Sequence, residues 1–270
     1  MRIKLWASSA GLITLMLLIA SSLLQPVSYA LTPTPSIPTP LPRVYSQAEI
    51  HHLRTLIEER YGIGFSYPTE WNAANASEVM WFTDGLHQIL EALDIATYYL
   101  YIYGEPDEDV TPIEYFRQHF DRAHIEIDRT RAITGNFAGN TLPRYANSQV
   151  IGYTIQLTGL GMDNPYTLVH ELGHVLDGLL EDAPHLAFVA ELGGEWTTDR
   201  WIPGEGYTGN EAMFPRAVGG PNEDFADTFG QMLVGNLSPE VVAVRYDFMR
   251  EYLPIWLTAI QALPETTAAG

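Results

Sequence analysis

The chain of 270 residues contains no cysteine. That absence excludes a disulfide framework and every thiolate metal site, so any metal here is held by histidine and carboxylate. Lysine is almost missing too. Lys4 is the only one, and beyond residue 30 the charged side chains are 12 arginines against 33 Asp and Glu. A surface with that balance repels nucleic acid and anionic lipid, which sets both aside as partners. No internal repeat interrupts the chain, and a 46% hydrophobic content is enough for one sizeable core.

The first thirty residues read as a signal peptide. Arg2 and Lys4 precede the apolar "GLITLMLLIASSLL", and "SYA" places small residues Ser28 and Ala30 where a signal peptidase reads. An uncleaved anchor is the alternative, because Leu5–Leu24 approaches the ~20 apolar residues of a membrane span. No cysteine follows the apolar stretch, so lipoprotein anchoring is excluded. Residues 31–45, containing "LTPTPSIPTPLP", cannot form a core and favour an extended linker. The expected folded domain is 46–270, with a helical part over 46–120 and the chemistry over 121–270. The protein is expected to be secreted or on the cell surface, with no membrane contact beyond its leader.

Ser46 and Glu49 form a capping-box pattern for a helix that Gly62 would stop. His51 and His52 at its start point about 100° apart and read as surface residues. Residues 77–103 are long, apolar and aromatic, predicting one or two core helices ending at Gly104, with His87 expected as a hydrogen-bonded core histidine. Thr111-Pro112-Ile113-Glu114 opens another helix. Alternation then argues strands in "AHIEIDRT" (123–130) and "SQVIGYTIQLTG" (148–159), joined through the loop "TGNFAGNTLP". Residues 181–221 read as irregular, a length that is functional or misread inside a domain. Helices resume at "NEDFADTFGQMLVGN", at Ser238-Pro239-Glu240 and in "PIWLTAIQAL". The class is α+β, mainly helical, with a small sheet whose edge strand precedes the helix at 165.

That helix lies in "NPYTLVHELGHVLDGLL", residues 164–180. His170 and His174, four apart, differ by about 40° around the axis and face one centre. Glu171 is turned by ~100°, close enough to reach a water there without competing as a ligand. Zinc held by two neutral imidazoles and one carboxylate keeps a fourth position for water, whose pKa falls to about 7. One zinc per chain is expected. Gly173 costs ~1 kcal/mol against alanine within a helix, which close approach of another element would explain. Asp177 reads as a structural or supporting residue rather than a ligand.

The third ligand has two candidates in Glu-x-x-x-Asp form: Glu195 with Asp199, and Glu223 with Asp227. On a helix this spacing lets the glutamate bind metal while the aspartate, one turn on, reaches a ligand histidine. Glu195 follows two glycines and precedes two threonines, a poor helix, whereas Glu223 is followed by Phe225, Phe229, Met232 and Leu233 at helical spacing. Glu223 is therefore the expected ligand, with Asp227 behind a histidine.

"HELGHVLD" with "PNEDFADTF" resembles the zincin metallopeptidases whose third ligand is a downstream glutamate. The nearer likeness is to the branch of anthrax lethal factor and the Pro-Pro endopeptidases, which pairs HExGHxxD with a later Glu-x-Phe-Ala-acid-x-Phe. The resemblance covers about a fifth of the chain. It implies a zincin-like fold, zinc at His170, His174 and Glu223, and Glu171 as general base, with Asp227 supporting a zinc histidine. It also implies a peptide or protein substrate. Relatives often place an oxyanion-stabilising tyrosine seven residues before the ligand glutamate, where this chain has Arg216. Arg216 itself, or Tyr207 folding in, are the candidates for that role, and a plain surface ion pair is the alternative for Arg216.

The expected activity is peptide-bond hydrolysis, with strand 148–157 as the edge along which an extended substrate pairs. Two rivals stand beside it: a secreted or surface binding protein with a structural zinc, and a metal-free structural domain. A zinc hydrolase for another ester or amide has the same sequence signature.

Overall fold

The computed structural model describes residues 47–66, 76–128, 139–157 and 165–264, all within a folded unit that runs from Pro42. The leader, the Pro/Thr linker and the Ser46 half of the first capping box lie outside the described residues. The elements in order are α1 (Gln47–Tyr61), β1 (Gly64–Ser66), α2 (Ala76–Tyr103), α3 (Pro112–Phe120), β2 (Ile125–Asp128), β3 (Gly139–Ala146) and β4 (Gln149–Leu157). There follow α4 (Pro165–Leu179), α5 (Ala183–Leu192), the short pair β5 (Gly194–Trp196) and β6 (Trp201–Pro203), α6 (Pro221–Leu233) and α7 (Pro239–Ala262). This is an α+β architecture, mainly helical, with a small mixed sheet.

Local chemistry explains several boundaries. Gly62 ends α1 at φ +69°, a left-handed conformation in which its N–H still reaches the Glu58 carbonyl at 3.0 Å. Thr111 caps α3: the Glu114 N–H donates to its hydroxyl at 3.3 Å and its own N–H donates to the Glu114 carboxylate at 2.9 Å. Residues 76–103 form one continuous helix, and His87 lies on its exposed side rather than in the core. The buried histidine of the N-terminal helical part is His119, whose Nδ1 sits 2.6 Å from the Tyr115 carbonyl.

The sheet order is β1-β2-β4-β3, with β1, β2 and β4 parallel and β3 antiparallel to β4. This corrects the edge assignment. Residues 149–157, which precede α4, are paired on both sides: Ile155 lies opposite Ile127 of β2 and Thr141 of β3. Among the described strands the edge beside α4 is β3, where the loop "TGNFAGNTLP" was expected. The physical reason is that Gly139, Asn140 and Pro143 carry poor strand propensity, and pairing with β4 overrides it.

The sheet and helices share one core, in which Ile127, Ile155, Val169, Leu172, Phe225 and Phe229 are fully buried. Helix α4 packs against α2, β3 and α6. The α4–α6 crossing is close because it is lined by small residues. A Cβ on Gly173 would lie 3.1 Å from the Ala226 Cα, and one on Gly230 would lie 3.4 Å from the His170 Cα. That is the close approach for which Gly173 gives up helix propensity. Residues 181–221 are less irregular than expected, since α5 and the β5–β6 hairpin occupy half of them. The rest is anchored by Arg245 on α7, whose Nε donates to the Glu205 carbonyl at 3.0 Å. Its guanidinium also lies 4.4 Å from the Phe214 ring centre.

Candidate metal centre

Helix α4 presents His170 and His174 one turn apart, and α6 presents Glu223 in its first turn. The Glu223 carboxylate faces both imidazoles: Oε2 lies 3.2 Å from His170 Nε2, and Oε1 lies 3.4 Å from His174 Nε2. One ligand atom from each of the three side chains falls within 4.8 Å of the others. Glu195, the rival candidate, stands on β5, exposed and away from this group.

Asp227, one turn after Glu223, is fully buried behind His170. Its Oδ1 lies 2.8 Å from His170 Nδ1, at ion-pair distance although the ring N–H is imperfectly aligned with it. The same oxygen accepts from the Tyr166 hydroxyl at 2.5 Å, and Oδ2 accepts from the Arg216 backbone N–H at 2.6 Å. Tyr166 was not singled out from sequence, yet it is four residues before His170 and shares its helix face. Burial and the Asp227 charge push the Tyr166 hydroxyl far above its ordinary pKa, so it stays a donor.

The donors fit a divalent zinc. With Nδ1 of His170 directed to Asp227, Nε2 remains for a metal, and two imidazoles with one carboxylate complete the protein share of an open zinc site. The electrostatics agree. Burial alone would lower the His170 pKa, but Asp227, Glu223 and Glu171 together raise it to about 9. Burial would raise that of Glu223, yet the two imidazoles hold it well below the usual carboxylate range. The centre therefore favours positive charge.

The open cleft beside these residues is lined by Glu171, Arg216 and the β3 residues Gly139, Thr141, Pro143 and Tyr145. Glu171 is buried, and its Oε2 accepts a hydrogen bond from the Thr141 hydroxyl at 2.7 Å. Arg216 packs 5.6 Å from the Tyr166 ring centre and donates through Nη2 to Thr167 Oγ1 at 3.2 Å, while its Nη1 has no hydrogen-bond partner. Tyr207 is not brought to the cleft; it packs, half-buried, against the core.

Asp177 faces the start of α5. Its Oδ1 accepts from the His185 backbone N–H at 2.9 Å, and its Oδ2 pairs with His185 Nδ1 at 2.6 Å. Asp182, the residue in the N-cap position of α5, makes no side-chain cap bond, so Asp177 caps that helix from α4. Asp177, Asp182 and His185 also place ligand atoms within 4.8 Å of one another, but both Asp177 oxygens are already engaged.

Next to Glu223 in the chain, Asp224 forms with Arg245 a fully buried pair at 2.6 Å, which local sequence pattern does not reveal. Searches among protein families, curated proteins and solved structures found no match to this chain.

Proposed function

We propose that the protein is an exported zinc metallopeptidase of the glutamate-ligand zincin type. The observation that carries the reading is the convergence of His170, His174 and Glu223 on one point, with Glu171 in the adjoining cleft. Zinc bound there supplies a Lewis acid and an acidified water. His170, His174 and Glu223 would hold it, and Asp227 keeps His170 in the tautomer that offers Nε2.

Glu171 serves as general base and then general acid. It takes a proton from the attacking water, whose oxygen bonds to the carbonyl carbon, and delivers a proton to the departing amine as the C–N bond breaks. Arg216, which lines the cleft, would be the donor to the oxygen that gains negative charge. An extended peptide would pair with β3, the strand that ends the sheet at this cleft. The signal-like first thirty residues support a substrate outside the cytoplasm.

A structural-zinc binding protein is the competing reading. Structural sites are closed by a fourth protein ligand, whereas the group here has three members among the described residues. The deciding experiment measures metal content and peptide-library cleavage for wild type and Glu171→Gln. The expected result is about one zinc in each, with cleavage by wild type alone. A zinc-loaded wild type that cuts no peptide sinks the peptidase reading.

A further inference from the structure

We propose that Thr141 is a positioning residue for Glu171, and that Gly139 keeps open the space this requires. The inference rests on the peptidase reading above and adds residues from the edge strand to that site. Thr141 Oγ1 donates to Glu171 Oε2 at 2.7 Å and lies 3.2 Å from the Glu171 carbonyl oxygen. A hydroxyl has one proton, and the shorter, charge-assisted bond to the carboxylate takes it. Among the described residues this is the only hydrogen bond to that carboxylate.

Gly139 acts on the same side chain by exclusion. A Cβ built there would lie 2.5 Å from Glu171 Oε1 and 2.9 Å from both its Cγ and Cδ. No side chain larger than hydrogen fits unless Glu171 moves. Residues 139 and 141 are alternate positions of one strand, so both address Glu171 from the same face of β3. Glutamate has three rotatable side-chain bonds, and a general base must be held to a fraction of an ångström. One contact restricts the carboxylate from its Oε2 side and the other limits its approach at Oε1. The strand proposed to receive the peptide thereby also aims the base.

The test uses the zinc-loaded full chain and the variants Thr141→Val, Thr141→Ser and Gly139→Ala. Thr141→Val keeps shape and removes the proton. It is expected to lower kcat roughly 10- to 100-fold with KM within about twofold and zinc content unchanged. Thr141→Ser keeps the hydroxyl and should return kcat to within about threefold of wild type. Gly139→Ala should lose kcat while retaining zinc.

A second readout does not depend on turnover. A short peptide hydroxamate binds zinc and hydrogen-bonds to the base carboxylate, so its affinity should fall about tenfold in Thr141→Val. Thr141→Val added to Glu171→Gln should cause no further loss, the signature of a residue acting through Glu171. Wild-type kcat and hydroxamate affinity in Thr141→Val, a Ser variant as impaired as Val, or additive losses would each overturn the proposal. Those failures leave a Glu171-dependent peptidase intact. A wild type that holds zinc, binds the hydroxamate and cleaves nothing defeats the peptidase reading alone, while a protein without zinc defeats both.

Discussion

Asp227→Asn offers a sharp test of how the centre is held. The carboxylate accepts from the Tyr166 hydroxyl at 2.5 Å and the Arg216 backbone N–H at 2.6 Å, and faces His170 Nδ1 at 2.8 Å. Asparagine offers one oxygen and one NH2. The Arg216 N–H cannot turn, so the amide oxygen belongs opposite it and the NH2 then faces Tyr166 and His170. The tyrosine hydroxyl can rotate to accept. His170 can accept only by moving its proton from Nδ1 to Nε2, the nitrogen the metal needs. Loss of such a supporting contact costs about 10- to 100-fold in metal affinity, or roughly 1.4–2.8 kcal/mol. The opposite amide orientation spares the histidine but faces the Arg216 N–H with another donor. That costs about 1–3 kcal/mol of stability instead. Zinc competition against a chromophoric chelator at neutral pH reads the first outcome, and thermal unfolding of the metal-free protein reads the second. A variant matching wild type in both assays would refute this account of Asp227.

Arg216→Ala should retain zinc and lose about 10²- to 10³-fold in kcat, the usual cost of one oxyanion donor, measured by steady-state kinetics on a cleaved peptide. Arg245→Met leaves Asp224 buried and unpaired; urea unfolding should show a loss of about 3–5 kcal/mol, partly recovered by adding Asp224→Asn. Chelation should lower the melting temperature without unfolding the protein at 25 °C, because α4 and α6 are held by an apolar core that needs no metal; circular dichroism with and without chelator checks this. The Asp177 hydrogen bond raises the His185 pKa against the opposing effect of burial. Its stabilisation is complete below about pH 6.5 and is lost as pH rises through the higher folded value, so urea curves across that range should show a decline that Asp177→Asn removes.

What could be read from the sequence was what local spacing encodes. His170 and His174 meet because one helical turn brings them together, and Glu223 with Asp227 repeats that geometry on a helix marked by Phe225, Phe229 and Met232. Other elements exist through tertiary contact. Strand β3 contains Gly139, Asn140 and Pro143 and is held by pairing with β4. Helix α5 carries Pro184 in its first turn and is followed by two glycines, and its cap comes from Asp177 on a different helix. Thr141, Arg245 and the His87 exposure share that difficulty: each depends on a neighbour distant in sequence or on which side of a helix faces the core. Tyr166 is different, because its spacing from His170 was visible and only its hydroxyl's partner was not.

The centre depends as much on missing side chains as on those present. Gly173 and Gly230 let α4 and α6 approach, and the proposed ligands ride on those helices: His170 and His174 on one, Glu223 on the other. A third omission, at Gly139, gives the Glu171 carboxylate its place beside β3. Each glycine gives up local propensity to admit a contact, and each contact involves an element that carries a residue of the candidate centre or its cleft. The two helices cannot separate without also breaking the contacts of Asp227, which joins Tyr166 and His170 on α4 to Arg216 before α6. In the proposed zinc centre metal affinity and helix packing are therefore coupled, and a change at either glycine of the crossing is expected to act on zinc binding through the position of Glu223.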